Sequence, residues 1–214
     1  SALKTNATGS RCVAIGREAL ALGTGHYNTA VGYIAASSTT TGEYNTAVGC
    51  QALQSNTAAS HNNAFGYKAI GGSNTGSQNS AFGRYTMYGN TSGANNAAYG
   101  NSALYSNTTG GSNVAVGNNA LYANTTASDN TAVGYTALDA NTTGYYQTAV
   151  GANALGASTT GIKNTAVGYN SLYANTTGAA NTAIGNISLD ENTTGSSNVG
   201  CGQNSLGANT TGSD

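Results

Sequence analysis

Across 214 residues only 6% are charged and the net charge is −1. That balance excludes a basic stripe for nucleic acid and a polybasic patch for membranes. No apolar run approaches the ~20 residues a membrane-spanning helix needs.

The run from Val13 to Gly16, Val-Ala-Ile-Gly, sets a pattern that continues to the far end of the chain. Its glycine recurs at Gly32, Gly49, Gly66, Gly83, Gly100, Gly117, Gly134, Gly151, Gly168, Gly185 and Gly202, after one step of 16 residues and ten of 17. So strict a period marks a solenoid in which each repeat makes one turn. Richness in Gly, Ser, Thr and Asn also suits disorder, but solvated low-complexity sequence does not hold Val and Leu at fixed phases. The reading is one repeat domain over 1–214: a partial coil over 1–11, then twelve coils anchored on Gly16 to Gly202. Ala2, Leu3, Asn6, Thr8 and Gly9 match the second half of a preceding repeat, and Asp214 stops just before the next expected Asn. The expectation is a segment of a longer array.

Each repeat opens on Asn, at 28, 45, 62, 79, 96, 113, 130, 164, 181 and 198, with Cys12 and Gln147 as the two departures. Stacked about 4.8 Å apart, the amides of Asn45, Asn113, Asn130, Asn164, Asn181 and their equivalents should form a ladder. Thr-Ala-Val-Gly follows, a short β-branched run that reads as a strand. Alternation gives it one face of Thr and Val and another of Ala and Gly. The glycines Gly117, Gly134, Gly151, Gly168 and Gly185 should lie one over another.

Four residues after the glycine comes Leu, as at Leu104, Leu121 and Leu138, always preceded by a small residue. A second short strand through this Leu is expected, because four residues make barely one helical turn and an isolated turn is not stable. Asn-Thr-Thr-Gly, as at Asn141 to Gly144, then supplies turn chemistry. No proline interrupts the chain, as parallel pairing throughout requires. The fold class is therefore all-β, a parallel β-solenoid with one 17-residue repeat per coil, about 55–60 Å long at one strand spacing per coil. The small Ala/Gly face is expected to let like chains approach.

These runs resemble the Ser-Val-Ala-Ile-Gly repeat of YadA-like heads in trimeric autotransporter adhesins. Asn-Thr-Ala-Val-Gly-Tyr with Ala-Leu and Asn-Thr-Thr-Gly is similar to repeats in tail-fibre proteins of phages and environmental bacteria. The resemblance covers the whole chain. It implies a left-handed roll, three copies side by side, and an extracellular location on a bacterial surface or a virion or injection-apparatus fibre. By analogy, the Val-type residue and the Leu fill each roll while Ala and Gly allow chains close approach. The family's adhesin coils are shorter than 17 residues, so the cross-section is expected to differ. No coiled-coil stalk, membrane-anchor barrel or self-cleaving chaperone is visible in these residues.

Catalytic chemistry finds no support in the pattern. His26 and His61 fall in turns of separate coils, the seven acidic residues keep no common phase, and no Gly-rich loop with its Lys is present. No enzyme activity, cofactor or metal is expected. Cys12, Cys50 and Cys201 occupy three different phases, which argues for free thiols.

Two surface columns remain. Tyr88, Tyr105 and Tyr122 share one phase, as does Tyr173; Tyr33, Tyr67, Tyr135 and Tyr169 share another. Tyr88, Tyr105, Tyr122, Tyr135, Tyr169 and Tyr173 are the candidate contacts for a cell-surface glycan stacking on aromatic faces, against the alternative that they pack on neighbours. Thr108, Thr125, Thr142, Thr159, Thr176, Thr193 and Thr210 form the other column, whose regularity raises ice binding as an alternative function. The sequence thus leads to a structural or adhesive fibre segment whose partners are itself and, at the tyrosines, glycan.

Overall fold

The computed structural model describes residues 1–4 and 8–213; Asn6 of the partial repeat and Asp214 lie outside the described residues. Twelve strands of three residues form one sheet: β1 (Val13–Ile15), β2 (Thr29–Val31), β3 (Thr46–Val48), β4 (Asn63–Phe65), β5 (Ser80–Phe82), β6 (Ala97–Tyr99), β7 (Val114–Val116), β8 (Thr131–Val133), β9 (Thr148–Val150), β10 (Thr165–Val167), β11 (Thr182–Ile184) and β12 (Val199–Cys201). They pair in sequence order, parallel and in register, as in Thr131 with Thr148, Ala132 with Ala149 and Val133 with Val150. The chain is an all-β parallel solenoid with a 17-residue repeat, and no helix occurs among the described residues.

Two expectations about the coil are overturned. The strand's central Ala, not its Val, points inward: Ala132, Ala149, Ala166 and Ala183 are fully buried, while Val150, Val167 and Ile184 are exposed. The analogy's placement of Val inside the roll and the assignment of the Ala face to chain approach are therefore reversed, while its placement of Leu inside holds. The reason is volume, because Leu and two Asn side chains from the same coil already occupy the interior.

The second correction concerns Leu, which sits in a turn rather than a strand. Ala137 and Leu138 are both fully buried, which strand alternation forbids for adjacent residues. Leu138 instead adopts a left-handed backbone (φ 52°) that turns its side chain inward directly after the alanine. A turn hydrogen bond from the Ala137 amide to the Gly134 carbonyl and an axial one from the Leu138 amide to the Ala154 carbonyl fix it.

Left-handed backbone recurs in every regular coil. In the Gly134 coil it includes Thr136 (φ 51°) and Tyr146 (φ 59°) besides Leu138. Such residues cost roughly 1–2 kcal/mol each in isolation, and they persist because neighbouring coils hold the same conformation. Gly134 itself, at φ 143°, is obligatory: a Cβ there would stand 2.4 Å from the Gly151 carbonyl oxygen of the next coil.

Two columns of buried amides complete the interior. In the first, the Asn113 backbone N–H and Nδ2 both donate to Asn96 Oδ1, at 2.9 and 3.1 Å, and Nδ2 also donates to the Ala127 carbonyl at 2.9 Å. In the second, Asn124 Nδ2 donates to Asn107 Oδ1 at 2.9 Å and to the same Ala127 carbonyl at 3.0 Å. One carbonyl in each regular coil thus accepts from both columns. Among the described residues no buried side-chain N or O lacks a partner, as a polar interior demands.

The coil of β9 departs in both columns at once, with Gln147 in the first and Ser158 in the second. The longer Gln147 side chain crosses the interior. Its Nε2 donates to Asn141 Oδ1 at 3.0 Å, and its Oε1 accepts from Ser158 Oγ at 3.1 Å and Asn164 Nδ2 at 3.3 Å. Gln147 therefore bridges the two columns where Ser158 is too short to extend the second. Gln147→Asn and Ser158→Asn should each lower the denaturation midpoint, while the double substitution restores it. A double-mutant cycle should give a coupling of about 1–3 kcal/mol.

Ile187 offers a second test. It is β-branched, holds φ 52°, and interrupts a half-buried run in which Asn153 Nδ2 donates to Asn170 Oδ1 at 2.9 Å. Asn tolerates this conformation better than Ile, so Ile187→Asn should raise stability by about 0.5–1 kcal/mol in chemical denaturation.

Candidate ligand-contact surface

The tyrosines divide into two physical classes. Tyr105 lies parallel to both neighbours in its column, with ring centroids 5.5 Å from Tyr88 and 5.1 Å from Tyr122 and interplanar angles of 21° and 10°. Stacked this way the three rings cover one another's faces. Tyr105 has neither face open for a sugar, and only the ends of the stack keep one. Further stacks join Tyr27, Tyr44 and His61, and Phe65, Phe82 and Tyr99.

A cation, Lys68, lies beside the lower end of the Tyr88 stack. Lys68 Nζ stands 5.4 Å from the Tyr67 ring centroid and 5.8 Å from that of Tyr88, and Arg84 lies 4.7 Å from Tyr85. Desolvation acts to lower the Lys68 pKa, but the neighbouring Tyr67, Tyr85 and Tyr88 outweigh it and hold it above the usual lysine value. The one ion pair among the described residues is Arg17 with Glu18, at 3.4 Å, so Lys68 and Arg84 rest on ring faces rather than carboxylates. At the upper end the next rung is Asp139. Burial pushes its carboxyl above the usual range, opposed by hydrogen bonds from the Ala140 and Asp139 backbone.

Tyr135, Tyr169 and Tyr173 behave differently. They stack on no other ring, and Tyr135 and Tyr169 are 57% and 54% exposed. Tyr173 leans over Gly156, where an added Cβ would meet its ring at 3.0 Å. Among the candidate contacts, these three have no ring on either face. The distinction was readable from sequence: a tyrosine in consecutive coils stacks, whereas one whose neighbouring rung is Ala152, Gly156 or Asn186 does not.

The threonine column has a structural use. From Thr108 to Thr193 each hydroxyl donates to the backbone carbonyl of the next threonine in the column, at 2.8 to 3.2 Å. Only oxygen lone pairs are left to face outward. The asparagines that open the Asn-Thr-Thr turns are likewise internal, since Asn107, Asn124, Asn141, Asn175 and Asn192 are fully buried. Cys12, Cys50 and Cys201 are free.

The sheet itself also presents an outward surface. Its exposed column runs through Val150, Val167 and Ile184, flanked by Thr148, Thr165 and Thr182, which are half-buried.

Removing a ring separates the two classes of tyrosine. Tyr105→Ala should cost about 1–3 kcal/mol, as two stacked contacts disappear. Tyr169→Ala should stay within about 0.5 kcal/mol, as expected of a surface position. Thermal or chemical denaturation of the two variants checks this. Comparison of the chain with family models, with curated proteins and with solved structures finds no match.

Proposed function

We propose that the chain is a rigid segment of an extracellular trimeric fibre, in which left-handed rolls associate side by side through the outward Thr/Val face of the sheet. The observation that carries this reading is the unpartnered apolar column of that face, exposed at Val150, Val167 and Ile184 and continued at the exposed Cys201. A contiguous apolar stripe of this kind marks an interaction surface.

The partner best matched to it is a second copy. A like chain repeats at the same axial spacing, so each Val meets an apolar rung and each Thr a polar one. Thr148, Thr165 and Thr182, half-buried, make no side-chain hydrogen bond among the described residues, which leaves their hydroxyls for such a neighbour. Scarcity of charge, 6% of residues, keeps repulsion between aligned copies small. The same near-neutral polar exterior suits a surface held away from a cell or virion without non-specific sticking. Cell-surface glycan at the free tyrosines is the ligand this reading favours.

Sedimentation equilibrium tests the association. The expected mass is three times the 21.1 kDa of the chain. A Val150→Asp/Val167→Asp variant should sediment as a monomer with an unchanged far-ultraviolet circular dichroism spectrum. A wild-type monomer at micromolar concentration would sink the proposal.

A further inference from the structure

We propose that Tyr135 and Tyr169 form a slot for one neutral pyranose ring of a glycan. The inference rests on the reading of this segment as a glycan-contacting fibre and adds the place and the ligand class.

Spacing carries the argument. Where consecutive coils bear aromatic rings at one phase, the centroids lie 4.6 Å apart for Phe65 and Phe82 and 5.1 Å apart for Tyr105 and Tyr122. One ring therefore fills one rung. Tyr135 and Tyr169 share a phase two coils apart, with Ala152 on the rung between them. Two strand spacings of about 4.8 Å separate them, so the missing rung leaves room for one ring-thick guest between two tyrosines that stack on nothing else.

The chemistry of the rungs selects the guest. Tyr135, Ala152 and Tyr169 carry no charge, so no group there selects an acidic sugar. Two aromatic faces suit the C–H faces of a pyranose. One residue along, Thr136 Oγ1 donates to Asn153 Oδ1, and Asn153 Nδ2 donates to Asn170 Oδ1. The relay stops there because the next rung is Ile187. Among the described residues the half-buried Asn170 Nδ2 thus makes no hydrogen bond, and it supplies a donor for a sugar hydroxyl beside Tyr169.

Saturation-transfer NMR with methyl β-D-glucopyranoside, methyl β-D-galactopyranoside and methyl α-D-mannopyranoside at millimolar concentration tests the slot, with p-cresol as a flat aromatic probe. At least one pyranoside should bind the wild type. Ala152→Tyr fills the slot with a ring of the kind found in the Tyr88–Tyr105–Tyr122 stack, and should weaken binding at least about tenfold while circular dichroism stays unchanged. Tyr169→Ala should do the same, and Tyr135→Phe, which keeps the ring, should bind as the wild type does. Undiminished binding by Ala152→Tyr, no pyranoside signal from the wild type, or a signal from p-cresol alone would each overturn the proposal. Glycan-array binding that survives Ala152→Tyr would remove the slot and leave the fibre's glycan contact standing. The sedimentation mass of the same samples reports on the trimer independently.

Discussion

The buried amide columns are the constraint on which the rest of the solenoid depends. A carboxamide enclosed in protein is costly unless its donors and acceptor are all engaged, and in a regular coil each amide donates to the coil before it and to the shared carbonyl of its own coil and accepts from the coil after it. The bonds are kept even where the spacing is not. Asn74 donates to Asn56, 18 residues back, and Asn90 donates to Asn74, 16 residues back, at 3.0 and 2.7 Å. One residue has moved from one side of the Asn to the other, and the outward turn absorbs it. Drift is tolerated on the surface and corrected within a coil, because an unsatisfied amide inside would cost more than a strained turn outside.

A narrow polar interior also decides what the strand shows to the outside. With Leu138 and the Asn130 and Asn141 amides in one coil's cross-section, only Ala132 fits behind the strand, and Val133 is turned away. Ordinary soluble sheets bury their β-branched face. This one presents it, so the apolar column that invites a neighbouring chain follows from how the amides fill the coil. The stability of the single coil and its tendency to associate thus share one cause.

Much of this was legible in the sequence. The regular step, 17 residues in all but the first repeat, implied parallel stacking, and Thr-Ala-Val-Gly marked the strand. Which strand face turns inward was not legible, since alternation separates Thr and Val from Ala without saying how much room lies behind them. The adjacent small residue and Leu did carry a signal against a second strand, because two neighbouring inward positions break period two. Left-handed backbone at Tyr146, Lys163 or Ile187 could not be read from residue type, as none is a usual former of that conformation. Tertiary stacking, coil upon coil, imposes it.

Regularity has a further consequence for recognition. In a perfect ladder each side chain has its own kind above and below, so rings cover rings, hydroxyls reach carbonyls, and little specific chemistry is left outward. The stacks of Tyr27, Tyr44 and His61 and of Phe65, Phe82 and Tyr99 belong to this self-satisfied surface and stiffen the rod. Contact chemistry survives where the pattern is interrupted: at Ala152 between two tyrosines, at Gly156 beneath Tyr173, and at Ile187 where an amide relay ends. A fibre built this way keeps its mechanics in the repeat and its selectivity in the departures from it. Two arrays with the same period could therefore be equally stiff and bind different ligands through a handful of substituted rungs.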